Sequence, residues 1–112
     1  FIYDQNGLWN NHIPNNLKLF VFNNQGGGIF KIISGPKNTP FLEEYFETKH
    51  ELSLKSIAQT HHLNYHCAKN EKEAEQIIPS VLESNQFEIV EFFTGNVENE
   101  KILNDYFSVI KK

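Results

Sequence analysis

One segment of the sequence combines amide side chains with a glycine cluster, a composition suited to holding a metal ion beside a phosphate. Residues 23–28 read NNQGGG. Asparagine offers an uncharged oxygen ligand without adding charge repulsion, and glycines let backbone carbonyl and N–H groups approach a ligand closely. Because Mg²⁺ takes a few oxygen ligands from protein and completes its octahedron with phosphate oxygens and water, the segment predicts a Mg²⁺–diphosphate site.

The residues before this segment predict that it lies at the edge of a sheet. Residues 17–22 form a mostly apolar, β-prone run, which is typical of a strand buried on both faces of a parallel sheet. Open α/β sheets bind ligands at the carboxyl edge, where residues 23–28 would emerge. A helix beginning just beyond them would offer N–H groups to a phosphate. A strand followed by a ligand-free glycine turn has the same composition, so the segment alone leaves both interpretations open.

The rest of the chain alternates strand patterns with amphipathic helix patterns. We predict strands at 64–67 and 87–93, and helices at 39–45, 53–58, 71–83 and about 97–111. Thr39 and Asn70 are the expected N-caps of two of these helices. The helix at 71–83 should bury Ala74, Ile77, Ile78 and Leu82, with Pro79 shortening or kinking it. This order predicts an α/β fold, a parallel sheet flanked by helices.

Composition fits a compact globular domain and disfavours two classes of partner. The chain has 112 residues, 39% hydrophobic and 21% charged, with net charge −4 and no arginine, so nucleic-acid binding has no electrostatic footprint. No apolar run approaches the roughly 20 residues that span a bilayer. A single cysteine, Cys67, fits a cytoplasmic setting. The absence of Met and the apolar start FIY indicate a fragment of a longer protein.

A cluster of potential metal ligands is better interpreted as structural. His61 and His62 are adjacent, so on a helix they would point about 100° apart. His66 and Cys67 would face opposite sides of a strand. No second cysteine or nearby carboxylate completes a tetrahedral set, so we expect structural or surface roles for all four.

Two sequence blocks together resemble a family of thiamine-diphosphate enzymes. Such enzymes carry a Gly-Asp pair and, after a spacer, Asn-Asn at the end of a buried strand. Residues 1–8, FIYDQNGL, closely resemble the residues after Gly-Asp in the MenD family, the 2-succinyl-5-enolpyruvyl-6-hydroxy-3-cyclohexene-1-carboxylate synthases. Residues 23–30, NNQGGGIF, resemble that family's Asn-Asn-x-Gly-Gly-x-Ile-Phe block, and weaker matches continue at 41–46 and 63–66.

The resemblance implies roles for individual residues. Asn24 would offer its side-chain oxygen, and Gly26 its backbone carbonyl, to Mg²⁺ or Mn²⁺. Gly27 would keep the loop thin beside the diphosphate, while Ile29 and Phe30 would form an apolar wall near the cofactor and the substrate. The expected cofactor-binding residues are thus Asn24, Gly26, Gly27 and Ile29. No catalytic residue is expected in this chain, because the cofactor-activating Glu would lie elsewhere in the full-length protein.

The resemblance also implies a fold and an activity. Residues 1–112 would be the C-terminal diphosphate-binding domain, incomplete here, of a cytoplasmic homo-oligomer, a dimer or tetramer. The full-length enzyme would decarboxylate 2-oxoglutarate with thiamine diphosphate and add the succinyl unit to isochorismate in menaquinone biosynthesis. The fragment, missing the N-terminal domains, should be inactive. The alternatives are another thiamine-diphosphate decarboxylase, an acetohydroxyacid-synthase-like enzyme, or a non-catalytic flavodoxin-like phosphate-binding domain.

Overall fold

The computed structural model describes residues 1–33, 35 and 38–110, and it divides into two compact units. The first unit comprises Phe1–Phe22 and Ser53–Phe93. The second comprises Asn23–Leu52 and the chain from Thr94 onward. Within the described residues, no helix is long and apolar enough to cross a membrane.

The first unit is built on a three-stranded parallel sheet in the order β1-β3-β2. The strands are β1 (Lys18–Asn23), β2 (Asn64–Ala68) and β3 (Glu88–Phe93). β2 and β3 are parallel, with Asn64 opposite Glu88. The last residue of β1, Asn23, already belongs to the second unit. The predicted α/β architecture and all three predicted strands are confirmed.

One face of the sheet carries the hydrophobic core. Helix α1 (Leu54–Thr60) buries Leu54 and Ala58, four residues apart on one helix face, against Phe87 and Ile89. A short 3-10 helix (Ile2–Trp9) adds Ile2 and Leu8 to the edge of this core. Other partly buried contributors are Ile13, Leu19, Val21, Ile57, Leu63 and Tyr65. Burial of these side chains attaches the helices to the sheet.

A buried carboxylate joins α1 to the sheet. Glu91 of β3 is fully buried and accepts hydrogen bonds from Ser53 Oγ at 2.8 Å, Leu54 N at 3.1 Å and Tyr65 Oη at 2.6 Å. Ser53 also caps α1 by accepting from the backbone N–H of Lys55. The carboxylate thus lies beside the first turn of α1. Burial, and then the hydrogen bond to Glu91, raise the pKa of the Tyr65 phenol.

The opposite face of the sheet is covered at β2 by helix α2 (Glu71–Glu83). Asn70 caps α2 as predicted, because its Oδ1 accepts from Glu73 N at 3.0 Å. The helix continues through Pro79 to Glu83, so Pro79 does not end it. The predicted burial of Leu82 is wrong. Leu82 is 60% exposed and Val81 is buried instead, because the buried stripe continues from Ile77 by one turn of the helix.

The same face is open at β1, contrary to the expectation of a strand buried on both faces. Phe20 and Phe22 are exposed, Phe22 by 72%, and their rings stack on Phe92 with centroids 6.1 and 5.2 Å apart. Leu19 and Val21 alternate with them and point into the core. β1 is an edge strand, and its face that carries Phe20 and Phe22 is exposed.

A second polar cluster lies at the start of β3. Glu88 is buried and contacts His66 Nε2 at 3.0 Å, Ser84 Oγ at 2.6 Å and Asn64 Nδ2 at 3.3 Å. Burial alone would raise the pKa of Glu88, but these hydrogen bonds outweigh it and lower the pKa below its ordinary value of 4.5. His66 therefore has a structural contact.

The second unit contains short helical turns and one long helix. A 3-10 helix (Gly28–Lys31) comes after the glycine-rich loop, a π-helix spans Leu42–Phe46, and α3 spans Asn96–Ile110. The prediction of a helix at 39–45 with Thr39 as its N-cap is wrong in two respects. The helix is a π-helix, and it begins at Leu42 after the N-cap Phe41. Glu47 N donates to Leu42 O, five residues back, which gives a wider turn after Phe41.

We expect Glu91→Gln to lower the free energy of unfolding by about 1–3 kcal/mol, because the new amide N–H₂ would face donors inside a buried site. Chemical denaturation measures the change. Glu75→Gln, on the exposed surface of α2, is the matched control and should be nearly neutral. Equal effects of the two substitutions would contradict a structural role for Glu91.

Glu88 predicts an acid-sensitive contribution to stability. A carboxyl whose pKa is lowered on folding stabilises the fold above its unfolded pKa and loses that contribution as pH falls through the folded pKa. The difference in unfolding free energy between wild type and Glu88→Gln should therefore be largest near neutral pH and shrink below pH 4.5. Denaturation curves across about pH 3 to 7, a range that brackets the ordinary carboxyl pKa, test this. A difference that stays constant would refute it.

Candidate functional site

The two adjacent asparagines at the end of β1 have different environments. Asn23 is buried, and its side chain accepts from Gln25 N at 3.0 Å and donates to Leu52 O at 2.8 Å. Asn24 is only partly buried, and its Oδ1 accepts from Gly26 N at a long 3.4 Å. Asn23 thus shapes the loop, while the Asn24 amide lines two cavities and has capacity left for a ligand.

Residues 47–52, which we call the clamp segment, hold the loop from outside. Gly27 N donates to Glu47 O at 2.5 Å, and His50 N donates to Gln25 O at 3.1 Å. Asn23 adds its bond to the carbonyl of Leu52, the last residue of the clamp segment. A loop of consecutive glycines has much conformational freedom to lose, so these bonds are what give it one shape.

A buried ion pair attaches the clamp segment to the 3-10 helix that comes after the loop. Lys31 Nζ lies 3.4 Å from Glu47 Oε1, with both side chains almost fully buried. On the surface, Lys49 contacts Glu43 at 2.8 Å, and that hydrogen bond lowers the pKa of Glu43 and raises the pKa of Lys49. Removing one partner of a buried pair leaves an uncompensated charge, so Lys31 and Glu47 depend on each other.

Two residues beside the loop have strained backbones. Gln25 has φ of 59° and Thr48 has φ of 48°, both in the left-handed region that favours glycine. Thr48 is β-branched, which makes this conformation costly, about 1–3 kcal/mol. Such strain persists only where surrounding contacts over-determine it, and it concentrates at binding sites. Gln25 lies in the loop and Thr48 in the clamp segment, while His62 of the first unit also has positive φ.

A polar cavity of about 420 Å³ opens between the loop and the clamp segment. It is lined by Asn24, Gln25, Glu47, Lys49, His50, Glu51, Thr94 and Gly95. Acidic, basic and amide groups all reach it. This mixture suits a hydrated metal ion and its anionic ligand better than an apolar molecule.

A second cavity of about 390 Å³ shares Asn24 with the first and is mostly apolar. Its lining is Asn24, Gly28, Ile29, Ile32, Asn99, Glu100 and Leu103. α3 therefore supplies part of its wall. Because Asn24 lines both cavities, a molecule with a charged end and an apolar ring system could occupy both at once.

The structure brings some of the predicted site residues together and separates others. Asn24 and Ile29 both line the apolar cavity. Gly27 packs against the clamp segment, and the ring of Phe30 packs against Phe46 with centroids 5.6 Å apart. The Gly26 carbonyl accepts from Gly28 N at 3.1 Å. A carbonyl oxygen has two lone pairs, so one remains for a metal.

The oxygen atoms at and near Asn24 could coordinate a hard cation that also binds a phosphate. Over the part of the chain that is described, no group of three or more His, Cys, Asp or Glu side chains could hold a metal ion. Asn24 Oδ1 and the Gly26 carbonyl are neutral oxygen ligands, and Mg²⁺ accepts such partial sets when phosphate and water complete the shell. The ligand chemistry at the loop therefore suits Mg²⁺–diphosphate.

Several lining residues were not anticipated from the sequence. Thr94 and Gly95 come directly after β3, the neighbour of β1, so their position at the same carboxyl edge could have been inferred from the strand order. His50 and Glu51 lie in a loop without any motif, and no sequence pattern indicated them. Leu103 lies in the helix predicted at about 97–111, for which no site role was expected.

Comparison with known proteins places this geometry in context. No family model matches the chain. The chain is similar to proteins named 2-succinyl-5-enolpyruvyl-6-hydroxy-3-cyclohexene-1-carboxylate synthase. The one from Christiangramia forsetii is 40% identical over 112 residues, 99% of this chain and 19% of its own length. Those from Flavobacterium psychrophilum and Porphyromonas gingivalis are 39% and 34% identical over 96% and 98% of this chain. The chain spans about a fifth of the length of these relatives.

We expect Gly27→Ala to disturb the loop. A Cβ at this position would lie 3.1 Å from the carbonyl oxygens of Phe46 and Glu47 and 3.2 Å from the Phe30 ring. The backbone must shift to relieve this crowding, which should cost about 1–3 kcal/mol of stability. Chemical denaturation measures it. Gly7→Ala is the control, because a Cβ there meets nothing within 4 Å. A neutral Gly27→Ala would mean that the close approach does not constrain the loop.

Proposed function

This chain belongs to the family of 2-succinyl-5-enolpyruvyl-6-hydroxy-3-cyclohexene-1-carboxylate synthases, and we propose that it forms the C-terminal, cofactor-holding part of such an enzyme. The full-length protein decarboxylates 2-oxoglutarate and transfers the succinyl unit to isochorismate, in menaquinone biosynthesis. The observation that carries the proposal is the position of Asn24 between a polar and an apolar cavity. Support comes from the family resemblance at residues 23–30.

We propose that Asn24 and Gly26 hold Mg²⁺, or Mn²⁺, against the diphosphate of thiamine diphosphate. Asn24 contributes Oδ1 and Gly26 its backbone carbonyl. The buried Lys31–Glu47 pair and the clamp segment keep the loop in one shape, so these oxygens need little rearrangement when the ion arrives. When bound, thiamine diphosphate supplies the electron sink for loss of CO₂ from a 2-oxo acid.

The apolar cavity has the complementary task of receiving the ring system of the cofactor. Ile29 presents its side chain there beside Gly28, whose small size leaves room, and Leu103 of α3 closes the wall. Apolar surface around a reacting centre excludes water and strengthens nearby electrostatic interactions. Phe30 packs on Phe46, with ring centroids 5.6 Å apart, and its ring lies close to Gly27 of the loop.

The remaining parts of the active site belong to the rest of the enzyme. Because the chain spans about a fifth of the length of its relatives, we propose that the cofactor-activating Glu and the groups that bind the substrate carboxylates lie in other domains. We also propose that the enzyme is a cytoplasmic homo-oligomer. The isolated 112 residues are then inactive and bind the cofactor weakly.

The metal assignment predicts that Asn24→Ala in the full-length protein raises the Mg²⁺ concentration needed for half-maximal cofactor binding about tenfold or more, because one ligand is lost. Titration of thiamine diphosphate at fixed Mg²⁺ concentrations measures this. Asn16→Ala, at an exposed loop position, is the control.

The activity is tested on the same proteins. Wild-type full-length enzyme with 2-oxoglutarate, isochorismate, thiamine diphosphate and Mg²⁺ should release CO₂, and Asn24→Ala should release it far more slowly. Unchanged Mg²⁺ dependence in Asn24→Ala would remove Asn24 from the metal site. Absence of CO₂ release by the wild type would reject the proposed reaction.

A further inference from the structure

The side chain of His50 is held in one orientation by its own loop. Leu52 N donates to His50 Nδ1 at 3.2 Å, and His50 N donates to Gln25 O at 3.1 Å. Since Nδ1 accepts a hydrogen bond, it carries no proton in the neutral ring, and Nε2 carries the N–H. Among the residues that the structure describes, Nε2 has no protein partner. His50 thus offers a pre-oriented donor.

This donor belongs to the polar cavity that Asn24 also lines. The other basic residue of that cavity, Lys49, is engaged elsewhere. Its Nζ contacts Glu43 at 2.8 Å and Glu47 at 3.9 Å, and its side chain is 56% exposed. A flexible surface ammonium with two carboxylate partners gives little net attraction to a further anion. The imidazole of His50 is half buried and locally fixed, so it loses less freedom on binding.

We propose that His50 is a cofactor-binding residue that donates Nε2–H to a phosphate oxygen of the diphosphate held at Asn24. The proposal rests on the proposed function, because it takes the Asn24 side of the cavity as the place of the metal–diphosphate unit. A metal-bound diphosphate still carries negative charge on its outer oxygens, and a hydrogen bond to a charged acceptor is stronger than one between neutral groups.

Hydrogen bonds also connect His50 to the glycine-rich loop. His50 N holds Gln25 O, and Leu52 holds both the His50 ring and the Asn23 side chain. His50 is therefore connected to Gln25 and Asn23 of the loop by hydrogen bonds within the same unit. Asn24, the residue after Asn23, lines the same polar cavity as His50. A donor that is held in place before the cofactor binds favours a selective site.

Two substitutions in the full-length enzyme separate the proposed role from a structural one. His50→Asn places an amide oxygen where Nδ1 stands, so it keeps the bond from Leu52 N and loses the Nε2 donor. His50→Gln supplies an N–H near the Nε2 position and loses the local bond. Binding of thiamine diphosphate and of thiamine, each with Mg²⁺, is measured by titration calorimetry.

We expect His50→Asn to weaken thiamine diphosphate binding about tenfold, with thiamine binding unchanged, because only the diphosphate contacts the donor. His50→Gln should stay within about threefold of wild type. Weakened binding in His50→Gln with normal binding in His50→Asn would overturn the proposal and leave a structural role. Equal weakening for both ligands would overturn it as well.

A further measurement shows whether His50 binds the diphosphate or a substrate carboxylate. If His50 held a substrate carboxylate instead, His50→Asn would raise KM for 2-oxoglutarate and leave the cofactor Kd unchanged, which overturns the proposal while Asn24 keeps its effect. If the wild-type enzyme shows no Mg²⁺-dependent binding of thiamine diphosphate, the proposed function fails, and the role of His50 fails with it.

Discussion

The shape of the glycine-rich loop depends on the clamp segment, because consecutive glycines supply no side-chain contacts of their own. The backbone carbonyl of Glu47 accepts a hydrogen bond from Gly27 N in the loop. The carboxylate of Glu47 is paired with buried Lys31 in the 3-10 helix that follows the loop. Glu47 therefore holds both the loop and this helix. A Cβ at position 27 would lie 3.1 Å from the carbonyl oxygens of Phe46 and Glu47, closer than most side chains approach such atoms. Gly27 therefore favours this close packing, in addition to its proposed place beside the cofactor.

The two neighbouring asparagines at the end of β1 make different contacts. Asn23 uses its side chain to bind Gln25 and Leu52, which fixes the exit of the chain from β1. Asn24 is left beside both cavities with a weak local bond. Gln25 in the loop and Thr48 in the clamp segment both have positive φ. The proposed ligand site thus uses two segments that are already hydrogen-bonded to each other, and such preorganisation lowers the cost of binding.

Sequence patterns were sufficient for several elements whose structure short-range chemistry decides. The strand positions, the Asn70 cap and the limits of α2 follow from local rules. The clamp segment could not be predicted, since its role arises from long-range hydrogen bonds to the loop. The exposed rings of Phe20 and Phe22 contradicted the prediction for β1, because an apolar run does not reveal whether a strand lies at a sheet edge. The burial of Glu91 could not be predicted either, because the strand pattern of residues 87–93 does not show that a carboxylate is buried there.

We propose that Asn24 and Gly26 hold the metal of a thiamine diphosphate complex. A crystal structure of the full-length protein with thiamine diphosphate and Mg²⁺ would show this site. We expect an ion about 2.1 Å from Asn24 Oδ1 and from the Gly26 carbonyl oxygen, with the diphosphate in the polar cavity. An ion and diphosphate bound elsewhere, with the Asn24 amide turned away from both, would contradict it.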